Sequence, residues 1–118
     1  MKRNTIFGLF LLLSVAILSE AQAATINISN NCNQDVTVSA YSIQTASAGY
    51  LLAQKLAYAH NSYTVTTSLP VKCIRTEFPQ PGHSTEGKAF YFGGANNLTV
   101  RIIMDPQNSN SCSISVTE

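Results

Sequence analysis

The stretch Thr25-Ile26-Asn27-Ile28-Ser29 alternates between polar and apolar residues at every step. Successive side chains of a β-strand point to opposite faces, so this period of two predicts a strand with one buried and one wet side. Similar strand-like runs recur along the rest of the chain, at 36–41, 63–68, 71–78, 88–92, 98–105 and 112–117. We therefore predict seven or eight short strands and an all-β fold.

Turn-forming residues separate these runs at a spacing of roughly 8–12 residues, which is typical of an antiparallel sandwich or barrel. The strongest break is Pro79–Gly87, where Pro79, Pro81, Gly82 and Gly87 lie close together. The connections are too short for helical crossovers between parallel strands. Residues 50–56 have good helix propensity but lack a cap, so we predict a strand there, with a helical turn as the alternative. The predicted fold is a small antiparallel β-sandwich.

Residues 1–23 have the pattern of a secretory signal peptide. Lys2 and Arg3 form a positive start, an apolar run extends to Leu18, and Ala21-Gln22-Ala23 offers small residues for cleavage. The apolar run is too short for a spanning helix. We predict cleavage after Ala23, a single domain over 24–118 without a transmembrane segment, and a secreted or periplasmic location.

The predicted mature chain is nearly neutral. Removing 23 of the 118 residues leaves 95, a length that suits one small domain. Its charged residues are scattered: Lys55, Lys72, Arg75, Lys88 and Arg101 against Asp35, Glu77, Glu86, Asp105 and Glu118. A nucleic-acid binder needs a basic patch, so we expect no nucleic-acid partner.

Three cysteines in an exported chain predict one disulfide and one leftover thiol. If the first and last strands are antiparallel neighbours, Cys32 ends one strand beside Cys112 at the start of the other, which favours the Cys32–Cys112 bridge. The alternative is a Cys73–Cys112 bridge. A leftover Cys73 is more simply a small buried apolar residue than a reactive thiol, since only Lys72 and Arg75 could lower its pKa.

Catalytic and metal-binding patterns are missing from the sequence. The cysteines and the two histidines, His60 and His83, lack the spacing of metal ligands and read as isolated residues. Serine occurs in no G-x-S-x-G elbow. Glu77 and Glu86 flank a flexible loop, so nothing fixes the separation that a glycosidase carboxylate pair needs. We predict that the protein is not an enzyme and uses no cofactor or metal.

The Pro79–Gly87 segment is the candidate interaction loop, because loops on rigid β scaffolds often carry recognition. Alternation places Phe90 and Phe92 on one strand face and Tyr91 on the other. Tyr91 is then either an ordinary exposed residue or part of a contact surface. The candidate contact residues are Pro79, Pro81, His83, Glu86 and Tyr91.

The opening Ala24–Cys32, followed by Val36-Thr37-Val38, resembles the first hairpin of thaumatin-like proteins. The shared features are an alternating apolar strand, an Asn next to a Cys, and a second strand. The resemblance implies a secreted β-sandwich in which this Cys is bonded to one near the C-terminus, which agrees with Cys32–Cys112. It covers residues 24–38 only, and the cysteine density and acidic cleft of that family are missing here, so it implies no binding residues.

These features together predict a secreted or periplasmic, non-enzymatic binding module that recognises a protein or a cell-surface glycan. The alternative is a structural subunit of a surface assembly, such as a pilin-like or matrix protein, because strands rich in Ser, Thr and Asn suit edge-to-edge pairing. A small secreted hydrolase is a less favoured third possibility. The oligomeric state is not predicted.

Overall fold

A computed structural model describes residues 24–79 and 87–118, so the predicted signal peptide and residues 80–86 lie outside the described residues. The described chain forms eight strands and one short 3-10 turn at Ala48–Tyr50, which precedes the third strand. Residues 50–56 therefore contain both the predicted strand and the end of a helical turn. The strands are β1 (Ala24–Asn31), β2 (Val36–Tyr41), β3 (Leu51–Ala57), β4 (Asn61–Thr67), β5 (Val71–Glu77), β6 (Lys88–Ala95), β7 (Asn97–Asp105) and β8 (Asn108–Thr117).

The strands form two four-stranded sheets, which confirms the predicted β-sandwich. Sheet A has the order β4-β1-β7-β8, and sheet B has the order β3-β2-β5-β6. Every pair is antiparallel except β1 and β7, which run parallel with Ile26 opposite Leu98 and Ile28 opposite Val100. This pair needs no helical crossover, because the five strands β2 to β6 connect its two members.

The core lies between the sheets and is built from the apolar half of each alternating strand. Its largest fully buried aliphatic side chains are Ile26, Ile74, Leu98, Ile102, Val36, Val71 and Val100. Burying one such side chain contributes about 1.5–3 kcal/mol, so these alternating positions are the main source of stability. Alternation predicts which side of each strand is buried, because a strand with one apolar side is stable only when that side faces the second sheet.

The two strands that resemble a thaumatin-like hairpin do not pair with each other. β1 lies in sheet A and β2 in sheet B, so the expected hairpin is wrong. Asn30 is fully buried where the chain crosses from one sheet to the other, and its side chain stabilises the crossing. Its amide nitrogen donates to the carbonyls of Gln34 at 2.8 Å and Ala57 at 2.9 Å, and its Oδ1 accepts the Cys32 N–H at 3.0 Å.

Part of the outward side of sheet B is also buried. Tyr41 and Cys73 are opposite each other in the β2–β5 register and point away from the core, yet Cys73 is fully buried. The segment after β2 folds back, since Ser42 N–H donates to the Tyr50 carbonyl. The Gln44 amide then donates to the Phe92 carbonyl on β6 at 2.9 Å, which holds this segment across the sheet.

Candidate functional site

The outward side of sheet A is a continuous surface of small uncharged polar side chains, which we call the hydroxyl face. It arises because the polar half of each alternating strand turns to the same side of the sheet. Arg101 and Ile103 are its only members that are not Ser, Thr or Asn. Its members among the described residues are Thr25, Asn27, Ser29, Asn31, Ser62, Thr64, Thr66, Asn97, Thr99, Arg101, Ile103, Ser113, Ser115 and Thr117.

Strand register aligns these side chains into rows that cross the whole sheet. Neighbouring strands lie about 4.8 Å apart, and residues on one face repeat about every 6.8 Å along a strand, so the hydroxyl and amide groups form a grid. The two complete rows are Thr64–Asn27–Thr99–Thr117 and Ser62–Ser29–Arg101–Ser115.

A shallow groove of about 330 Å³ lies on this face, where the rows cross β4, β1 and β7. Its outward-facing lining consists of Asn27, Ser29, Ser62, Thr64 and Thr99. Thr64 Oγ1 donates to Asn27 Oδ1 at 3.1 Å, which orients two of these side chains toward each other. The groove is open to solvent along the sheet, so a ligand would lie on it rather than inside it.

Hydroxyl and amide groups can each donate and accept hydrogen bonds while remaining neutral. They offer a ligand directional contacts but no strong acid, base or nucleophile activated by a neighbour. Within the described ranges, no three His, Cys, Asp or Glu residues lie close enough together to hold a metal ion. This face therefore offers a ligand neutral hydrogen-bond donors and acceptors.

A second polar cluster closes one end of the sandwich. His60 Nε2 and Asn33 Oδ1 are 2.8 Å apart, and the Asn33 amide donates to Met104 Sδ at 3.1 Å. Asp35 Oδ1 accepts the Ala59 N–H at 2.9 Å, in the turn where His60 has a left-handed backbone with φ of 63°. These contacts tie the β3–β4 turn to the crossing segment and to β7, so His60 has a structural partner.

The disulfide joins Cys32 to Cys112, with 6.0 Å between their Cα atoms, and Cys73 is free and buried. The prediction of this pairing assumed that the first and last strands are neighbours. That assumption is wrong, because β7 lies between β1 and β8. Both bonded cysteines are buried, and Cys112 is opposite Met104 on β7. The bridge therefore passes on the inner side of β7.

Burial raises the pKa of the Cys73 thiol, and the Arg75 charge offsets part of that increase.

The structure describes only part of the candidate interaction loop. Pro81, His83 and Glu86 lie outside the described residues, so their role in contacts stays a prediction. Pro79 is exposed, and Tyr91 is 62% exposed on the outward side of sheet B. Phe90 and Phe92, on the other face of the same strand, are partly buried and pack against the core. Of the two glutamates considered above, Glu77 forms an ion pair with Arg75 at 2.7 Å, and Glu86 is not described.

The sequence did not single out the hydroxyl face. Each of its residues appeared there only as the wet half of one strand. The signal that could have found it is the unusual uniformity of those wet positions, which are almost all Ser, Thr or Asn. Only the register between strands converts that composition into aligned rows and a groove.

Comparison with known proteins gives no family for this chain: no family model matches it, and neither does any curated protein. A solved structure with a similar arrangement is the crystal structure of the T6SS lipoprotein TssJ1 from Pseudomonas aeruginosa. It is 10% identical with a TM-score of 0.47, and the match covers 81% of this chain and 98% of that one. Similarity at this level says nothing about ligands or partners.

The thaumatin-like resemblance of residues 24–38 likewise remains a local one. In the described part of the chain, no helix is long and apolar enough to cross a membrane.

Proposed function

We propose that the protein is an exported, non-enzymatic binding module that holds a neutral polysaccharide chain on the hydroxyl face. The observation that supports this proposal is the groove lined by Asn27, Ser29, Ser62, Thr64 and Thr99 within aligned rows of similar side chains. Export is supported by the signal-peptide pattern of residues 1–23 and by a disulfide, since disulfides persist in oxidising compartments.

The composition of the face favours a glycan over a protein partner. The centres of protein interfaces are enriched in aromatic residues, Met and Arg, and depleted in Ser. The hydroxyl face has the opposite composition, with only Arg101 and Ile103 as exceptions. Sugar hydroxyls are neutral and both donate and accept hydrogen bonds, so they match a surface of Ser, Thr and Asn group for group.

The shape of the groove favours a chain over a single small molecule. Pockets for small ligands usually enclose most of the ligand surface, whereas this groove lies open along the sheet. Among the described residues, no aromatic side chain belongs to the hydroxyl face, so stacking adds nothing to affinity. Each hydrogen bond contributes only about 0.5–1.5 kcal/mol net. Binding should therefore be weak for one sugar and stronger for longer chains that cover more of the grid.

The test compares glycan binding by the exported protein with that of two variants. The first, Thr64→Val with Thr99→Val, removes two groove hydroxyls while keeping side-chain shape and β propensity. The control, Thr37→Val, makes the same change on the outward side of sheet B. With two bonds of about 1 kcal/mol lost, we expect the first variant to bind roughly 30-fold more weakly. The control should bind like the wild type.

Binding is measured by co-sedimentation with insoluble neutral polysaccharides and by calorimetry with neutral oligosaccharides of increasing length. Affinity should rise with oligosaccharide length. The proposal fails if the wild type binds no neutral glycan, or if the groove variant and the control bind equally well. The protein could instead capture a protein ligand, with an affinity that depends on Thr64 and Thr99. In that case the partner is a protein, which the sequence also predicted, and the glycan proposal is wrong.

A further inference from the structure

Each sheet ends in two edge strands, which are β4 and β8 in sheet A and β3 and β6 in sheet B. An edge strand exposes unpaired backbone N–H and C=O groups, so it can pair with a strand of another chain. Natural sheets block such pairing with charged residues, prolines, bulges or covering segments. The four edges of this sandwich differ in whether they carry these devices.

One inward-pointing lysine of β3 lies beside both edges on the same side of the sandwich, and β4 itself carries no charged residue, proline or glycine. Lys55 is opposite Val38 in the β2–β3 register, so it points toward the sheet interface from edge strand β3. Its Nζ lies 4.6 Å from the centre of the Tyr63 ring on edge strand β4. An additional strand on either edge would bring this charge into a less hydrated position, which is costly.

The edge at β6 carries three devices. Lys88 begins the strand, and the register with β5 shifts between Val71 and Cys73, which marks a bulge or irregularity. The Gln44 amide also occupies the Phe92 carbonyl of this strand. A regular ladder with another chain is therefore interrupted along β6.

The edge at β8 carries none of these devices over residues 112–117. Asn108–Thr117 contains no charged residue, no proline and no glycine. Its register with β7 is unbroken from Thr99 opposite Thr117 to Met104 opposite Cys112, and shifts only next to the β7–β8 turn. A regular stretch of β8 is therefore free to accept another strand.

We propose that β8 pairs antiparallel with β8 of a second copy, which joins two copies of sheet A into one eight-stranded sheet. In a two-fold antiparallel pair centred on Ile114, Ile114 is opposite itself, Cys112 is opposite Val116, and Ser113 is opposite Ser115. Directly opposite residues share a sheet face. Every apolar position of β8 therefore meets an apolar position, and every hydroxyl meets a hydroxyl.

This self-matching means that a second copy meets the alternation of β8 in every two-fold register. Any two-fold axis through a β8 residue pairs even positions with even and odd with odd, so Ile114 and Val116 stay on the core side. The nearest charge on the hydroxyl face is Arg101, one strand inside the edge. Its symmetry mate lies three strand spacings away, about 14 Å, which is beyond the Debye length of about 8 Å at physiological ionic strength. No like charges therefore oppose the pairing.

The test measures self-association of the exported protein by analytical ultracentrifugation over a wide concentration range. Ser113→Lys with Ser115→Lys places two exposed charges on β8, where the paired copies would bring them opposite each other. The matched control, Ser62→Lys with Thr64→Lys, adds the same charges to the same face at the opposite edge, on β4. Both pairs are solvent-facing, and circular dichroism checks that both variants fold.

We expect a reversible wild-type dimer, a control that dimerises equally well, and a β8 variant whose dimerisation is weakened about tenfold or more. A second readout locates the interface: alternate amides of β8 should exchange hydrogen more slowly as the wild-type concentration rises. This readout is independent of glycan binding, so either proposal can fail alone.

The proposal is overturned if the wild type stays monomeric at millimolar concentration, or if the lysines on β8 leave the dimer intact. A dimer that the β4 lysines abolish, or one that disappears in Cys73→Ala, would also overturn it, since it would use another edge or an intermolecular disulfide.

Discussion

Removing the Cys32–Cys112 disulfide should destabilise the domain by about 4.5 kcal/mol. The bridge joins residues 80 positions apart, and closing a loop of that length restricts the unfolded chain by about this amount in the chain-entropy model. Since domains of this kind are stable by only about 5–15 kcal/mol, the loss is about 30% of the stability or more. The perturbation is the double variant Cys32→Ala with Cys112→Ala.

The position of the bridge makes a second consequence specific. It connects the segment after β1 to β8, an edge strand whose only sheet neighbour among the described strands is β7. Without the bridge, β8 keeps one row of strand contacts, so its amides should lose protection from hydrogen exchange before the rest of sheet A does.

The assay is urea unfolding at equilibrium, with the unfolding free energy extrapolated to water and intact mass used to verify the thiol state. Cys73→Ala is the control, because it removes a buried cysteine that closes no loop. A double variant that loses less than about 1 kcal/mol, while unfolding in one cooperative step, would refute the loop-closure reasoning. A loss much larger than 5 kcal/mol would show that packing around the bridge dominates.

Two further predictions concern buried polar groups and the free thiol. Asn30→Ala should cost about 3 kcal/mol in urea unfolding, because three hydrogen bonds at the sheet crossing disappear; an effect below about 1 kcal/mol would contradict their importance. Cys73 should react slowly with iodoacetamide in the folded protein and rapidly in urea. Because burial raises its pKa from the ordinary value of 9.0, stability contributed by the neutral thiol should be lost as pH rises above about 9, and Cys73→Ala should lose less stability over that range.

Much of the fold follows from local periodicity. The alternation in β1 and β7 identified which side chains enter the core, since Ile26, Ile28, Leu98 and Val100 are all buried. The same reasoning separated exposed Tyr91 from its partly buried neighbours on β6. These predictions hold because a half-apolar strand leaves no choice about which side faces another sheet.

Strand order did not follow from periodicity. The sequence suggested that the first and last strands are neighbours, but β7 separates them. It also suggested a hairpin at the start, but β1 and β2 lie in different sheets, with the buried Asn30 bonded at the crossing. Alternation specifies the two faces of a strand and contains no information about the strand at its side, because every polar–apolar strand can pair with any other.

The candidate site shows the same division. The sequence by itself determined that the domain over residues 24–118 is nearly neutral, rich in Ser, Thr and Asn, and built from strands with one dry side, because these properties depend on composition and on a period of two. Only the tertiary structure decided that the wet positions align into rows on sheet A, that a groove forms across Asn27 and Thr64, and that β8 is an edge. Those outcomes depend on register and strand order, which long-range packing sets after the strands exist.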